Sequence, residues 1–505
     1  MAISNKGSLS YKNVLVARFS ALGDVAMTIP VVYSVCIDNP GTRFIMVTQK
    51  IASTLFINAP VNLVVLGIDT KNEYKGWAGI KKLKNKLIKE YEIDLFIDLH
   101  DVLRTWLLGM AFLASGVKVM RFDKGRRGKH VLTRRHNKRM LPLLSSRARY
   151  REVFYRAGFS FSESFVSIFG ESKASAERYS SIIAPKRKGE SWIAVAPFAK
   201  HKGKVYPLDL MEKVVRELAS WEKTTVFLLG AGKSEEEILS KWGGHGSNII
   251  NMAAYHSGFA CELALLSNCD VMVSMDSANM HLASLVRLQV VSVWGATHPY
   301  CGFMGWHQDE HNAVQLNMSC RPCSVFGSKP CYRGDYFCMT GIPPQLIVTH
   351  VKQFLEEHGK NIQQEAMEQK KHDIHSGRIT PDEVKLLKDN EIFVFGSNIG
   401  GIHGGGAAKV ARLKFGAIQG QGVGLQGQSY AIPTMQGGVE TVAPYVNDFI
   451  KFAAAHEDLH FLVTRIGCGI AGFDDSEIAP LFARAVSLPN VSLPASFWKV
   501  LDACK

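Results

Sequence analysis

The stretch Asp270 to Pro299, DVMVSMDSANMHLASLVRLQVVSVWGATHP, reads as strand, tight turn, helix, strand. Val271 and Val273 sit in a short apolar run that stops at Asp276. Small residues follow, Ser277 and Ala278, and then Met280, Leu282, Ala283 and Val286 recur at helical spacing. Val290, Val291 and Val293 form the next buried strand, ended by Gly295. This is a βαβ unit, and parallel strands of that kind belong to an α/β sheet. Its turn lies at the carboxyl end of a strand and the amino end of a helix. Open α/β sheets bind ligands there, and free amides favour an anion. A structural turn with Asp276 as a helix cap is the plain alternative.

Working outward, the same alternation runs through most of the chain. Strands are expected at Asn13–Ala17, at 44–47, 63–66 and 93–98, then at 192–196 and 225–229. The residues 75–91 between them form a basic amphipathic helix. A length of 505 residues suits three domains, and 47% hydrophobic with 21% charged residues describes a globular protein. The net charge of +14 requires an acidic partner, whether nucleic acid, an anionic membrane or a phosphorylated substrate. No helix-turn-helix, zinc finger or aromatic-interleaved basic strand accompanies that charge, so nucleic acid is not the expected partner. The N-terminal residues carry no apolar signal core, and the longest apolar stretch, Trp106 to Val117, is too short for a bilayer and reads as a buried helix. These features suggest a cytoplasmic protein.

Three ordered motifs resemble the heptosyltransferases, glycosyltransferases of the lipopolysaccharide core. They are ARFSALGDVAMTIP (Ala17 to Pro30), KGKVYP (Lys202 to Pro207), and DSANMHLA followed by WGATHP. The resemblance covers roughly residues 11–356. It implies two facing Rossmann-like domains in the two-lobed GT-B arrangement, with an acceptor lobe over 1–175 and a donor lobe over 176–356. It also implies an ADP-heptose-like nucleotide-sugar donor and an acidic, lipid-linked saccharide acceptor, with the enzyme peripheral at the inner membrane face. No cofactor is required on this basis, and no D-x-D acidic pair is apparent, so transfer is expected to be metal-independent and to invert the anomeric centre. Asp24 takes the place of the catalytic aspartate. The donor-binding residues implied are Lys204, Glu236, Asp276, Ser277, Ala278 and His281. Asp276 would accept hydrogen bonds from sugar hydroxyls or cap its helix, and His281 would bond the donor or simply be packed.

The basic run Arg121 to Arg139 has a single acid, Asp123. It reads either as a solvated charged face or as an acceptor cradle, and the resemblance favours the cradle, with Arg18, Arg126 and Arg127 on the acceptor. Cys320, Cys323, Cys331 and Cys338 are spaced C-x2-C-x7-C-x6-C, which allows a structural zinc site. Residues 357–390 are polar and charged and read as a linker.

A separate α/β module is expected over 391–505. Its pattern SN–GGG–SYAIPT–IGCGIAGF resembles macro domains, which bind ADP-ribose, although the usual N-A-A-N stretch is replaced by GSN. The implied ligand residues are Asn398, Gly404, Gly405, Gly406, Gly467, Gly469 and Gly472, with Phe473 either stacking on the ligand or lying in the core. The competing account of the whole chain is a catalytically inactive transferase scaffold that binds ADP-ribose or another nucleotide.

Overall fold

The computed structural model describes residues 11–243, 248–357 and 377–503. The chain divides into two compact units, Met1–His358 and Gly359–Lys505.

The first unit holds two parallel sheets. In the first, β1 (Asn13–Ala17), β2 (Arg43–Gln49), β3 (Leu63–Ile68), β4 (Leu95–Asp98) and β5 (Lys118–Arg121) lie in the order β3-β2-β1-β4-β5. In the second, β6 (Ser191–Ala196), β7 (Thr224–Leu228), β8 (Ile249–Asn251), β9 (Val271–Met275), β10 (Val290–Trp294) and β11 (Ala313–Gln315) lie in the order β11-β10-β9-β6-β7-β8. Every pairing in both is parallel. The central strands β1, β6, β9 and β10 are almost wholly buried, which is why they appear in sequence as nearly continuous apolar runs rather than alternating ones. The strand order reverses between β1 and β4 in one sheet and between β6 and β9 in the other. Each reversal opens a crevice beyond the carboxyl ends of those strands.

The crossovers carry α1 (Leu22–Ala26), α2 (Ile29–Asp38), α3 (Lys50–Ser53), α4 (Gly76–Tyr91), α5 (Leu103–Leu113), α6 (Arg126–Thr133) and α7 (Ser146–Ala157) in the first lobe. The second lobe carries α8 (Leu208–Ala219), α9 (Lys233–Gly243), α10 (Gly258–Asn268) and α11 (Ala278–Leu285). One large core joins both lobes, through Val25 and Tyr150 on one side and Met280 and Trp306 on the other. A separate core under α4 and α5, with Leu83, Phe96, Leu108 and Phe112, belongs to the first lobe alone. The lobes are also clasped by backbone bonds, Leu143 N–H to Tyr300 O at 3.0 Å and Ser146 N–H to Gly302 O at 2.8 Å.

The apolar stretch from Trp106 is not a buried helix. It lies mostly in α5, which buries Leu108 and Phe112 but turns Trp106, Met110 and Leu113 outward.

The second unit has one sheet of β12 (Ile379–Thr380), β13 (Glu391–Ser397), β14 (Gly424–Gln426), β15 (Ser429–Pro433), β16 (His460–Val463) and β17 (Val491–Pro494), ordered β12-β17-β16-β13-β15-β14. Only β14 runs antiparallel to its neighbour. Residues 358–376 of the expected linker lie outside the described residues, but its later part is already module. Strand β12 pairs with β17, and the Arg378 guanidinium donates to the carbonyls of Val486, Leu488 and Val491. The segment's polarity hid this, because a two-residue edge strand gives no periodic signal.

Candidate functional site

Both crevices of the first unit are built by residues that follow the switch-point strands. After β1 the chain enters Arg18–Asp24, and after β4 it enters Leu99, His100 and Asp101. Leu22 to Ala26 is a short helix rather than an open turn, because the Asp24 carboxylate accepts the Ala21 N–H at 3.2 Å and closes its first turn. The same oxygen, Oδ2, meets the Arg18 guanidinium at 2.7 Å. Arg18 is buried and its other terminal nitrogen donates to Leu99 O at 2.7 Å. It holds Asp24 in place and also lines the cavity beside it.

A cavity of 480 Å3 opens beside Asp24, lined also by His100, Lys124, Lys129, Tyr150 and Phe326. His100 is nine-tenths buried, its Nδ1 has no hydrogen-bond partner, and burial drives its pKa down to about 3, so the ring is neutral. Lys129 lies 4.6 Å from the centroid of Phe303, a residue of the second lobe, and burial lowers its pKa to about 8. Arg126 pairs with Asp101 at 2.7 Å. A neighbouring cavity of 610 Å3 shares Phe122, Lys124 and Arg126 and adds Arg127 and Arg149. Arg126 and Arg127, which the resemblance implies for the acceptor, line the wall of this cavity. The sequence misses His100 and Lys129, for which the only signal is position: one follows a switch-point strand, the other is one base among many.

In the second lobe, the Lys204 ammonium lies 2.9 Å from Asp276 Oδ2, with the Asp276 side chain buried and that of Lys204 partly so. Thr297 donates to the same oxygen at 2.7 Å. The lysine loop is fixed to the end of β10 by the Ala296 N–H bonding Gly203 O at 2.8 Å. Asp276 does not cap α11. Ser277 does, its hydroxyl accepting the Asn279 N–H at 3.4 Å, because Asp276 is turned to the lysine. His281 is buried with Nδ1 unpartnered, and desolvation lowers its pKa to about 4. Glu236 faces His256 at 3.6 Å, whereas the acid on the Gly230–Gly232 turn is Glu235, which accepts the Ala231 N–H at 2.8 Å.

The two crevices meet. A β-carbon on Gly23 would stand 2.8 Å from His281 Cδ2 and 3.1 Å from Ala278 Cα, so the turn bearing Asp24 lies directly on the amino end of α11. A hydroxyl-bearing substrate in the Asp24 cavity and an anion at the Lys204 end would therefore converge at this contact.

Among the described residues no group of three or more His, Cys, Asp or Glu side chains is placed to hold a metal ion. Cys320, Cys323, Cys331 and Cys338 form no disulfide, and no such group includes them.

In the second unit the glycine loops after β13 and β16 adjoin, since a β-carbon on Gly405 would lie 3.1 Å from Ile470 Cδ1. Gly406, Gly467 and Gly472 have positive φ, the backbone geometry that favours glycine. Gly404 and Gly469 have open space where a side chain would be. The Asn398 amide donates to Ile402 O and accepts from Ile402 N–H, both at 3.1 Å, closing its own loop. Phe473 packs against the module's main core.

Fold and site together define a two-lobed protein of facing parallel α/β sheets whose candidate site lies where the two crevices meet. Residues 80–331 match the model of glycosyltransferase family 9 (heptosyltransferase). Lipooligosaccharide heptosyltransferase 2 of Campylobacter jejuni serotype O:6 is 20% identical over 338 residues, covering 66% of this chain and 95% of that protein. The protein of the same name from serotype O:2 is 25% identical over 138 residues, 26% of this chain and 41% of that one. A family 9 glycosyl transferase structure from Veillonella parvula superposes with a TM-score of 0.54 at 16% identity, over 68% of this chain and 98% of that one, which supports the fold. The chain is a heptosyltransferase-like glycosyltransferase.

Proposed function

We propose that the first unit transfers a heptose from an ADP-activated donor to an acidic, lipid-linked core saccharide, with inversion at the anomeric carbon. The observation that carries this proposal is the direct contact between the Asp24 turn and the amino end of α11. Asp24 removes the proton from the acceptor hydroxyl, and the oxygen attacks the anomeric carbon. The bond to the diphosphate breaks with its electron pair leaving on phosphate oxygen. Lys204 and the amides of Ser277 and Ala278 then offset the charge that develops there. His281, neutral at physiological pH, adds no charge beside Lys204. The heptosyl group and the saccharide acceptor follow the names of the Campylobacter relatives, and the ADP carrier follows the motif resemblance. A cytoplasmic enzyme at the inner membrane face suits that pair of substrates. Incubation with ADP-heptose and a heptose-deficient core acceptor tests this: the acceptor should gain the mass of one heptosyl residue as ADP is released. Absence of that product with every core acceptor offered would refute it.

A second proposal concerns the second unit, as a binder of ADP-ribose or a related ADP compound. It is supported by the adjoining glycine loops after β13 and β16. Backbone donors from two loops suit a diphosphate. Calorimetry on the full chain should register ADP-ribose binding that Gly405→Val removes, and no heat from ADP-ribose would defeat the idea.

A further inference from the structure

We propose that α4 and α5 form the face by which the protein docks on an anionic lipid surface. Leu103, Trp106, Met110 and Leu113 are 74%, 44%, 44% and 48% exposed. Their spacing of three, four and three residues places them in one stripe along α5, opposite the buried Leu108 and Phe112. A continuous apolar stripe of this kind on an outer helix marks an interaction surface. The core beneath it contains first-lobe residues alone, so α4 and α5 are the layer of that lobe turned away from its partner lobe.

Charge identifies the occupant. Helix α4 lies beside α5, tied to its end by the Lys84 ammonium on Ser115 Oγ at 3.1 Å. It carries Lys81, Lys82, Lys84, Lys86 and Lys89 against a single acid, Glu90. Trp77 is half exposed at its start, next to these lysines. Apolar side chains bordered by lysines suit the interface of an anionic bilayer, where the stripe enters the acyl boundary and the ammonium groups meet headgroups. Residues of the basic run Arg121 to Arg139, read in sequence as a solvated face or an acceptor cradle, make contacts on the cavity side instead. Arg126 pairs with Asp101, Arg134 donates to Asn137 O, and Lys129 lines the cavity.

The face is continuous with the site. Val102, which precedes α5, lines the 480 Å3 cavity beside His100 and Asp24. Docking through α5 would set the mouth of that cavity at the membrane, where the headgroup of a lipid-anchored saccharide is presented. This last consequence rests on the proposed transferase function, whereas docking itself does not.

The test is co-sedimentation of the full chain with vesicles of phosphatidylglycerol and phosphatidylcholine, against vesicles of phosphatidylcholine alone. Binding to the anionic vesicles is expected, reduced tenfold or more by Trp106→Ser with Met110→Ser. A loss of about fivefold per charge is expected for Lys81→Glu with Lys84→Glu. Unchanged thermal midpoints and nucleotide affinity verify that the variants are folded. Equal binding of wild type and both variants, or no binding of wild type, overturns the proposal. So does equal binding to both vesicle types, which would remove the role of the lysines. Self-association lost in the Trp106 variant, without vesicle binding, would assign the face to a second copy of the chain instead. Vesicle binding without any heptose transfer would leave the docking face standing and reject the transferase proposal.

Discussion

Replacing Lys204 with methionine separates its two roles. The Lys204 side chain is 16% exposed and that of its partner Asp276 4%, at 2.9 Å, so the substitution strands a buried carboxylate that keeps the Thr297 hydroxyl as its hydrogen-bond donor. Removing one partner of a buried pair costs about 3–5 kcal/mol, most of it the penalty of the orphaned charge. Lys204→Met should therefore lower the stability of the first unit by about 3 kcal/mol. Adding Asp276→Asn removes the orphaned charge and should restore most of that loss. Donor binding should not recover with it. A charge-assisted bond to the diphosphate contributes about 1.5–3 kcal/mol, which corresponds to a loss of about 10- to 100-fold in affinity for ADP. The assay is thermal unfolding of the two variants beside titration calorimetry with ADP. An ADP affinity equal to wild type in the folded double variant would show that Lys204 serves Asp276 alone, and the donor-phosphate role would fall.

Three further outcomes follow from the site. Lys129, with its pKa lowered to about 8 by burial and by Arg149 and Lys124, against the opposing influence of Asp24 and Cys301, loses its charge above that pH. The Michaelis constant for an anionic acceptor should rise above about pH 8, and Lys129→Arg should flatten the rise; an unchanged profile would remove Lys129 from acceptor recognition. His281 is held neutral in the fold, with a pKa of about 4 against 6.5 when unfolded. The unfolded chain binds the extra proton first, so this contribution to stability is present above pH 6.5 and lost as the pH falls towards 4. His281→Asn should reduce the slope of stability against pH over that window, and an equal slope would contradict the assignment. Gly23→Val must displace His281 or Ala278, at about 1–3 kcal/mol, and should cut turnover more than it alters ADP affinity. Wild-type turnover in that variant would show that the close approach of the lobes is not needed.

Much of this arrangement is legible in the sequence because doubly wound sheets place function at strand ends. Val14–Ala17 and Val271–Val273 are apolar runs, Asp276 directly follows its strand, and Asp24 and Lys204 stand in the segments that follow theirs. What the sequence hides is which long-range partner each side chain finds. Nothing local tells that Asp276 turns to Lys204 and leaves the helix cap to Ser277, or that Arg18 is spent on Asp24 and Leu99. Glu235 and Glu236 are interchangeable in sequence, and only the path of the Gly230 turn selects the first for its amide. The residues of α5 are as apolar as those of a core helix, so composition predicts burial. Sheet order decides instead which side of that helix meets the core, and Trp106, Met110 and Leu113 face away from it.

The central claim is that Asp24 is the base that activates the acceptor, and single-turnover transfer by Asp24→Asn tests it most directly. With ADP-heptose prebound and core acceptor in excess, the step should slow by about 10²–10⁴-fold. The variant's affinity for the donor should stay within about twofold of wild type, since Asp24 lies on the acceptor side of the contact with α11. Transfer at a rate within a few-fold of wild type, with donor bound normally, would contradict the account.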